Sequence, residues 1–492
     1  MDYLDLKKQA RHRVILLVGY VLVAVAIVIA TLVLLYQAYG FGLGKNGTVI
    51  QNGLLFLSSH PNPAAIYIDN VKKSQSTNTR MVVNEGVYGV KLAREGYRDW
   101  QRRIEVDGGN VKHFDYPFLF PKELTTKKVQ AYDGAPGLMS QSPDRRWLLI
   151  QPPGAVTNFD VYDLRAISKP STTISLPPNV ITQGSAGQAF KLAEWADDNK
   201  HVVLQHDYDG KTEFILLDRG SPEQSINLNN TLSISPTKLT LRDKKYDQYY
   251  VYNAGTLELQ TVSLKDTAVK PLLARVLAYQ SYGEDSLLYV TDAEAPAGSA
   301  LAKLRGGKKT VNIRNLPASP AYLVDLTKYS GDMYVAVGAS AGEKVYVFKD
   351  PFGQRAKQPR RAVVPSQVLH VPQPNYLGFS ASAQFIVAEN GDHFGIYDIE
   401  NETGYNYVSP QALDSPQAHA SWMDGNRLTL VSGGKLEVFD YDDANQQALM
   451  PASSLYLPAF TPDYKNVYSL AANPVTGQLD LTQTSLLTPA DR

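Results

Sequence analysis

Cysteine is absent from the 492 residues, which excludes a disulfide scaffold, a thiolate zinc site and a cysteine nucleophile. Net charge is absent too. Lys and Arg number 48 against 48 Asp and Glu, so no global field steers the chain toward DNA, RNA or an anionic surface. Tryptophan is scarce, with four residues against thirty tyrosines and fifteen phenylalanines, an aromatic balance that fits half-buried strands with wet edges. Gly (35) and Pro (29) are dispersed along the chain, as in a protein with many turns and no long disordered tract. At this length two or three folded units are expected.

Charge is missing locally as well. No residue from Val14 to Gly44 is charged, and residues 14–38 are almost wholly aliphatic. About 25 helical residues at ~1.5 Å each reach ~37 Å, enough to cross a hydrocarbon core of ~30 Å. The apolar core of a cleaved signal peptide is shorter, about 7–15 residues, so residues 14–38 are read as an uncleaved transmembrane anchor. Lys7, Lys8, Arg11 and Arg13 precede it and only Lys45 closely follows. That asymmetry puts residues 1–13 in the cytoplasm and the bulk of the chain outside the cell membrane. Gly19 has no small partner four residues away, so the span carries no GxxxG dimer face. Residues 39–52 read as a linker.

Residues 53–120 then alternate apolar and polar positions between Gly and Asn turns. The runs are Leu54–Ser58, Ile66–Ile68 after Pro61 and Pro63 and closed by Asp69-Asn70, Met81–Val83, Val87–Leu92, Arg102–Val106 and Val111–Phe114. This predicts a small antiparallel β-sandwich. The stretch resembles the PEGA family in Ser59-x-Pro61-x-x-Ala64 with Tyr67-x-Asp69, in Glu85-Gly86-x-Tyr88-x-Val90, and in Glu95-Gly96-Tyr97 with Trp100. Pro63 stands where that family usually has glycine. The resemblance implies a surface-exposed module from bacterial envelope proteins that serves spacing or contact, without catalysis. Tyr97 and Trp100 are expected to pack the sheet rather than form a sugar-stacking platform.

The remaining chain repeats itself. Gln141-Ser142-Pro143-Asp144 precedes Trp147–Ile150, Trp195-Ala196-Asp197-Asp198 precedes His201–Leu204, and Phe379–Ala383 precedes Phe385–Ala388. Trp422-Met423-Asp424-Gly425 precedes Leu428–Val431, and Phe460-Thr461-Pro462-Asp463 precedes Val467–Leu470. Weaker copies sit at Leu241, Tyr279 and Leu326. The eight anchors are spaced about one four-stranded propeller blade apart. Residues 125–490 are therefore expected to form a β-propeller of eight blades, or seven if the copy at 241 or 279 belongs to a neighbour. Thr126–Tyr132 is a strand without a blade and is expected to complete the last one, leaving no open sheet edge. The turns and aromatic anchors resemble TolB-like and WD-type propellers.

Motifs with chemistry are few. Gly338-Ala339-Ser340-Ala341-Gly342 has the G-x-S-x-G pattern, but a strand follows where the nucleophile elbow needs a helix. Asp207–Lys211 and Asp440–Asp443 lack the full oxygen series of a calcium loop. His201 and His206 lie five residues apart and point to opposite strand faces. The loop Pro296–Lys309 ends in Gly306-Gly307-Lys308-Lys309 without Walker spacing. Arg355, Lys357, Arg360 and Arg361 form the densest basic cluster, read as a solvated interblade loop or a contact for a partner or an anionic envelope polymer. No cofactor or metal is expected. The expected function is a membrane-anchored, non-enzymatic binding or scaffold protein whose propeller meets a protein, peptide or cell-wall glycan. The alternatives are an accessory of an envelope translocation machine, or a propeller enzyme acting on envelope polymers.

Overall fold

A computed structural model describes residues 6–38, 41–43, 49–165, 171–185, 187–415 and 418–491. Two compact units result, residues 1–123 with 487–492 and residues 124–486. The first begins with helix α1 (Leu6–Ala38). It starts upstream of the expected residue 14 because Lys, Gln, Ala and Arg at positions 7–13 are good helix formers. Within it, Arg11–Tyr36 is long and apolar enough to cross a membrane.

Eight strands follow: β1 (Phe41–Leu43), β2 (Val49–Leu57), β3 (Ala65–Ile68), β4 (Val71–Ser76), β5 (Thr79–Asn84), β6 (Gly86–Ala93), β7 (Trp100–Val106) and β8 (Val111–Phe114). Part of the expected linker is thus strand, while residues 39–40 and 44–48 lie outside the described residues. One sheet joins β2 to β1, β5 and β8, and the other runs β4-β3-β6-β7. The expected all-antiparallel pattern is corrected at β2 and β8, which pair in parallel from Leu54↔Val111 to Leu57↔Phe114. The Asp107–Asn110 turn closes no hairpin; it carries the chain from one sheet to the other. Between the sheets lie Leu55, Leu57, Ile66, Leu92, Trp100 and Val106, with Tyr97 fully buried among them. Gly53 is required by packing, since a Cβ there would stand 2.4 Å from a Val106 methyl.

The chain's end also belongs to this unit, although residues 487–490 were expected in the propeller. The Tyr97 hydroxyl donates to Asp491 Oδ2 at 2.7 Å and accepts from Thr488 N at 3.0 Å. Arg94 pairs with Asp491 Oδ1. Tyr97 thus packs the core with its ring and holds the C-terminal segment with its oxygen, as a buried tyrosine with one polar tip can.

The second unit contains eight four-stranded antiparallel sheets. Their inner strands are Leu138–Gln141, Ala189–Trp195, Lys238–Leu241, Val276–Tyr282, Tyr322–Tyr329, Tyr376–Phe379, Ser421–Trp422 and Ala459–Phe460, defining blades 1 to 8. The copies at 241, 279 and 326 are complete blades. Strand Thr125–Tyr132 pairs antiparallel with Leu479–Ser485 as the outer strand of blade 8, so the two sequence-distant strands close the last sheet. Blade 8 then packs on blade 1 through Tyr132, Leu148, Ile150, Tyr162, Tyr468 and Leu470. With last packed on first, the sheets form a closed ring, an eight-bladed propeller.

A single turn design recurs around it. In blade 1 Asp144 accepts from Arg146 N at 3.0 Å while the Ser142 hydroxyl accepts from Trp147 N at 2.9 Å. In blade 8 Asp463 accepts from Lys465 N at 3.1 Å and the Thr461 hydroxyl from Asn466 N at 3.1 Å. Asp198 and Asp424 do the same in blades 2 and 7. A short acid that accepts its own turn's N–H groups fixes where the inner strand stops.

Candidate binding site at the channel mouth

Because the first strand of each blade faces the ring axis, residues at its start line the mouth of the central channel. In blades 3 to 6 these residues enclose a cavity of about 310 Å³, bounded by Lys238, Tyr252, Tyr279, Gln280, Tyr322, Asn375 and Tyr376 among others. A neighbouring cleft of about 510 Å³ shares Leu277 and Tyr322 with it. A third, of about 780 Å³, lies between blades 2 and 3.

Lys238 is the cavity's cation. Its ammonium lies 4.9 Å from the centre of the Tyr279 ring and makes no ion pair or hydrogen bond among the described residues. Desolvation by the surrounding protein pushes its pKa down, opposed by the charge of Glu194. Glu194 itself is occupied: it accepts from Leu241 N of the next blade at 2.6 Å and pairs with Lys244. The tyrosine rings are largely covered. Tyr376 stacks on His419 at 3.8 Å, and Tyr279 packs against Tyr250 and Tyr252. Gly378 makes room for Tyr376, whose hydroxyl would otherwise stand 2.7 Å from a Cβ. The Tyr252, Tyr279 and Tyr322 hydroxyls have protein partners. The Tyr376 hydroxyl and the Gln280 and Asn375 amides have none among the described residues.

Two carboxyl groups brace the inner rim here. Asp325 accepts from Phe379 N of the next blade at 3.0 Å and from Leu326 N at 2.9 Å. Burial raises its pKa to about 6 against those hydrogen bonds and Lys244. Glu389 is fully buried and accepts from Ala420 N of blade 7 at 2.8 Å. Burial raises its pKa to about 8, with that N–H opposing. Glu213, at the edge of the largest cleft, differs. Burial works to raise its pKa, but the Thr182 N–H, His206, the Thr182 hydroxyl and Asn227 outweigh it and hold the group below its usual range. With its oxygens so engaged, Glu213 is a structural brace.

The expected candidates lie elsewhere. Arg355, Lys357, Arg360 and Arg361 are exposed, on the helix Pro351–Lys357 and the loop after it. This segment joins the third and outer strands of blade 5; it is not the interblade loop expected. Asp350 caps the helix by accepting from Gly353 N, and Arg355 reaches only the Arg361 carbonyl, at 2.9 Å. None of the four lines the channel cavity. Gly338–Gly342 closes an antiparallel hairpin in which Gly338 pairs with Val345, and Ser340 meets Ser319 at 3.0 Å. Pro296–Lys309 is corrected from loop to strand over Ser299–Gly306. His201 sits between Asp198, Asp218 and the Tyr246 ring, whereas His206 is buried against Glu213 and Phe190. Asp207 and Asp209 close the hairpin after His206 with hydrogen bonds to Thr212 and Ser185. Among the described residues, no group of three or more His, Asp or Glu side chains could hold a metal ion. Trp100 is buried in the small module's core.

Sequence reasoning missed Lys238, Gln280, Asn375 and Tyr376. Lys238 and Gln280 neighbour the copies at 241 and 279, where the repeat weakens, whereas Asn375 and Tyr376 precede the clear copy at Phe379 and carried no signal.

Fold and site together define a β-propeller with an open, tyrosine-lined channel mouth, on a chain that also carries a small β module and one apolar helix. The PEGA domain family matches residues 52–119, the small module. No curated protein sequence matches the chain. Among solved structures, Hsv2 of Kluyveromyces lactis is similar at 11% identity, over 65% of this chain and 98% of its own, with a TM-score of 0.38. An oligogalacturonate lyase in complex with manganese is similar at 13% identity, over 75% and 100%, with a TM-score of 0.39. The Cps50 (Swd1) β-propeller domain of Myceliophteria thermophila is similar at 12% identity, over 74% and 100%, with a TM-score of 0.39. Likenesses this distant carry nothing about ligand or activity; the ring rests on the sheet order and the seams described above.

Proposed function

We propose that the protein is a membrane-anchored, non-catalytic binding protein that presents the channel mouth of its propeller to a polypeptide partner outside the cell membrane. The anchor is Arg11–Tyr36, and the basic residues before it favour a cytoplasmic N-terminus. The observation that carries the reading is the channel cavity. It is open to solvent, spans four blades and presents polar groups that have no partner among the described residues, whereas the nearby carboxyl groups brace the ring. That division of labour suits recognition better than acid–base work.

The absence of cysteine makes the test clean. Single cysteines are placed at Asp2 and at Val475, which is 90% exposed, and intact cells are treated with a membrane-impermeant maleimide. Labelling at Val475→Cys alone is expected; labelling at Asp2→Cys alone would overturn the orientation. Photo-crosslinking from Tyr322 in intact cells is expected to capture a discrete polypeptide, and capture of none would count against the binding reading.

A further inference from the structure

We propose that the cavity between the inner strands of blades 3 to 6 receives a carboxylate of the partner polypeptide, an acidic side chain or chain terminus, with Lys238 as its countercharge. This deepens the binding reading above and rests on it. The first ground is charge. Among the described residues Lys238 has no ion-pair partner, and it is set over the Tyr279 ring at a cavity walled by four blades. An ammonium held at a cavity wall makes a charge-assisted hydrogen bond to a ligand anion, stronger than one between neutral groups. The second ground is the donor set. The Gln280 and Asn375 amides and the Tyr376 hydroxyl line the same cavity, and none is spent on the protein among the described residues. They offer N–H and O–H groups to the oxygens that Lys238 does not reach. The neighbouring acids do not compete for the cation, because Glu194 is paired with Lys244 and a backbone N–H, and Asp325 and Glu389 accept from backbone N–H groups.

The third ground concerns shape. A sugar ring would need an open aromatic face. Here one face of Tyr376 is covered by His419 at 3.8 Å, and Tyr279 is buried among its neighbours. A volume near 310 Å³ is at the small end of ligand sites and suits one side chain entering end-on from a docked polypeptide.

The experiment uses the full chain in nanodiscs, with fluorescein-labelled hexaglutamate, its neutral hexaglutamine twin and free glutarate as probes. Hexaglutamate is expected to bind and hexaglutamine not. Lys238→Gln is expected to weaken hexaglutamate by about tenfold or more, while Lys238→Arg retains most binding. Arg360→Ala with Arg361→Ala is expected to change little. Thermal melting of Lys238→Gln shows whether the ring is intact, and should that variant fail to fold, Tyr376→Phe with Asn375→Ala is the alternative, expected to weaken binding. Unchanged hexaglutamate binding in an intact Lys238→Gln protein, or no binding to the wild type, would overturn the proposal. Loss confined to the Arg360 and Arg361 variant would overturn it too. Glutarate binding as tightly as hexaglutamate would overturn its polypeptide part and identify a small free carboxylate. If all three probes fail while Tyr322 still crosslinks a polypeptide, the carboxylate assignment falls and the broader binding reading stands.

Discussion

Blades 1, 2, 7 and 8 and blades 3 to 5 are built from the same four-stranded sheet, yet they treat their polar groups in opposite ways. In the first set an Asp at the end of the inner strand accepts its own turn's N–H groups. Asp163 of blade 1, Asp198 and Asp218 of blade 2 and Asp463 of blade 8 sit below the usual carboxylate range. For Asp163 hydrogen bonding to Arg146 leads, whereas for Asp198, Asp218 and Asp463 hydrogen bonds outweigh burial. The seams there are apolar and continuous, as where Trp195 lies with Leu149, Phe159 and Leu204 between blades 1 and 2. In blades 3 to 5 the turns are different. Blade 5 closes its inner hairpin with Ser330 and Gly331, both at positive φ, and the inner rim carries Lys238, which has no ion pair among the described residues, and Asp325 with a raised pKa. Regular blades spend polar groups on turns and keep the ring shut. The irregular arc leaves Lys238 and Gln280 on the channel cavity, where the proposed site lies. Sites commonly fall where local rules are broken in this way.

Removing a seam side chain tests that contrast with the largest effect. Trp195→Ala is expected to cost about 3–5 kcal/mol, since the side chain is buried and donates to the Ser140 hydroxyl at 2.8 Å. Tyr376→Phe, at the channel cavity, is expected to change stability by less than about 0.5 kcal/mol. Urea unfolding followed by tryptophan fluorescence measures both, and equal losses would erase the distinction between the two parts of the ring.

The pH dependence comes next. Folded Glu389 keeps its proton to about pH 8, whereas the unfolded chain releases it near the ordinary 4.5. Folding therefore takes up a proton across that window. The associated stability is fully present below about 4.5 and is lost as pH rises through about 8, by up to a few kcal/mol. Asp325 adds a smaller fall between 3.8 and about 6. Glu389→Gln is expected to flatten the decline between pH 5 and about 8 in melting temperatures recorded at each pH, and an unchanged slope would place its origin elsewhere. Asp198 and Asp463 act in the opposite direction, contributing stability above their unfolded pKa and losing it as pH falls through the lower folded value.

Smaller effects sharpen the comparison further. Asp463→Ala strips a regular turn of its acceptor and is expected to cost about 1–2 kcal/mol; Asp285→Ala, in the blade 4 hairpin, is expected to cost less than about 0.5 kcal/mol. Denaturant midpoints decide. Outside the ring, Asp491→Ala releases Arg94 and Tyr97, and its expected cost of about 1 kcal/mol is read by faster proteolysis of the C-terminal segment.

Much of the ring was legible in the sequence because its determinants are local. Ser142-Pro143-Asp144 and Thr461-Pro462-Asp463 each encode a turn, and the apolar run after each encodes a strand covered on both faces. Even closure could be read, since Thr126–Tyr132 had no blade of its own. The channel site was less legible for a physical reason. Lys238, Gln280, Asn375 and Tyr376 gain their meaning only when three separate blades bring them around one cavity, and no spacing within any blade marks them. Conversely, the Arg355–Arg361 run stood out as a charge cluster because its residues are neighbours in sequence, yet it lies on an exposed intrablade segment. Tyr97 was half legible. Its ring follows the core pattern, but its hydroxyl meets residues nearly four hundred positions away.

The central claim is that strand 125–132 closes blade 8 and so completes the ring. Thr126 and Thr484 face each other, with hydroxyl oxygens 2.9 Å apart, and the chain has no native cysteine. The double variant Thr126→Cys and Thr484→Cys, oxidised in the membrane and analysed by non-reducing electrophoresis after cleavage at a protease site inserted in the exposed turn at Gly154, measures this directly. An intramolecular disulfide joining the two fragments is expected, and none in the control pair Thr126→Cys with Ser175→Cys. Free thiols in the first pair under the same oxidant would contradict the closed ring.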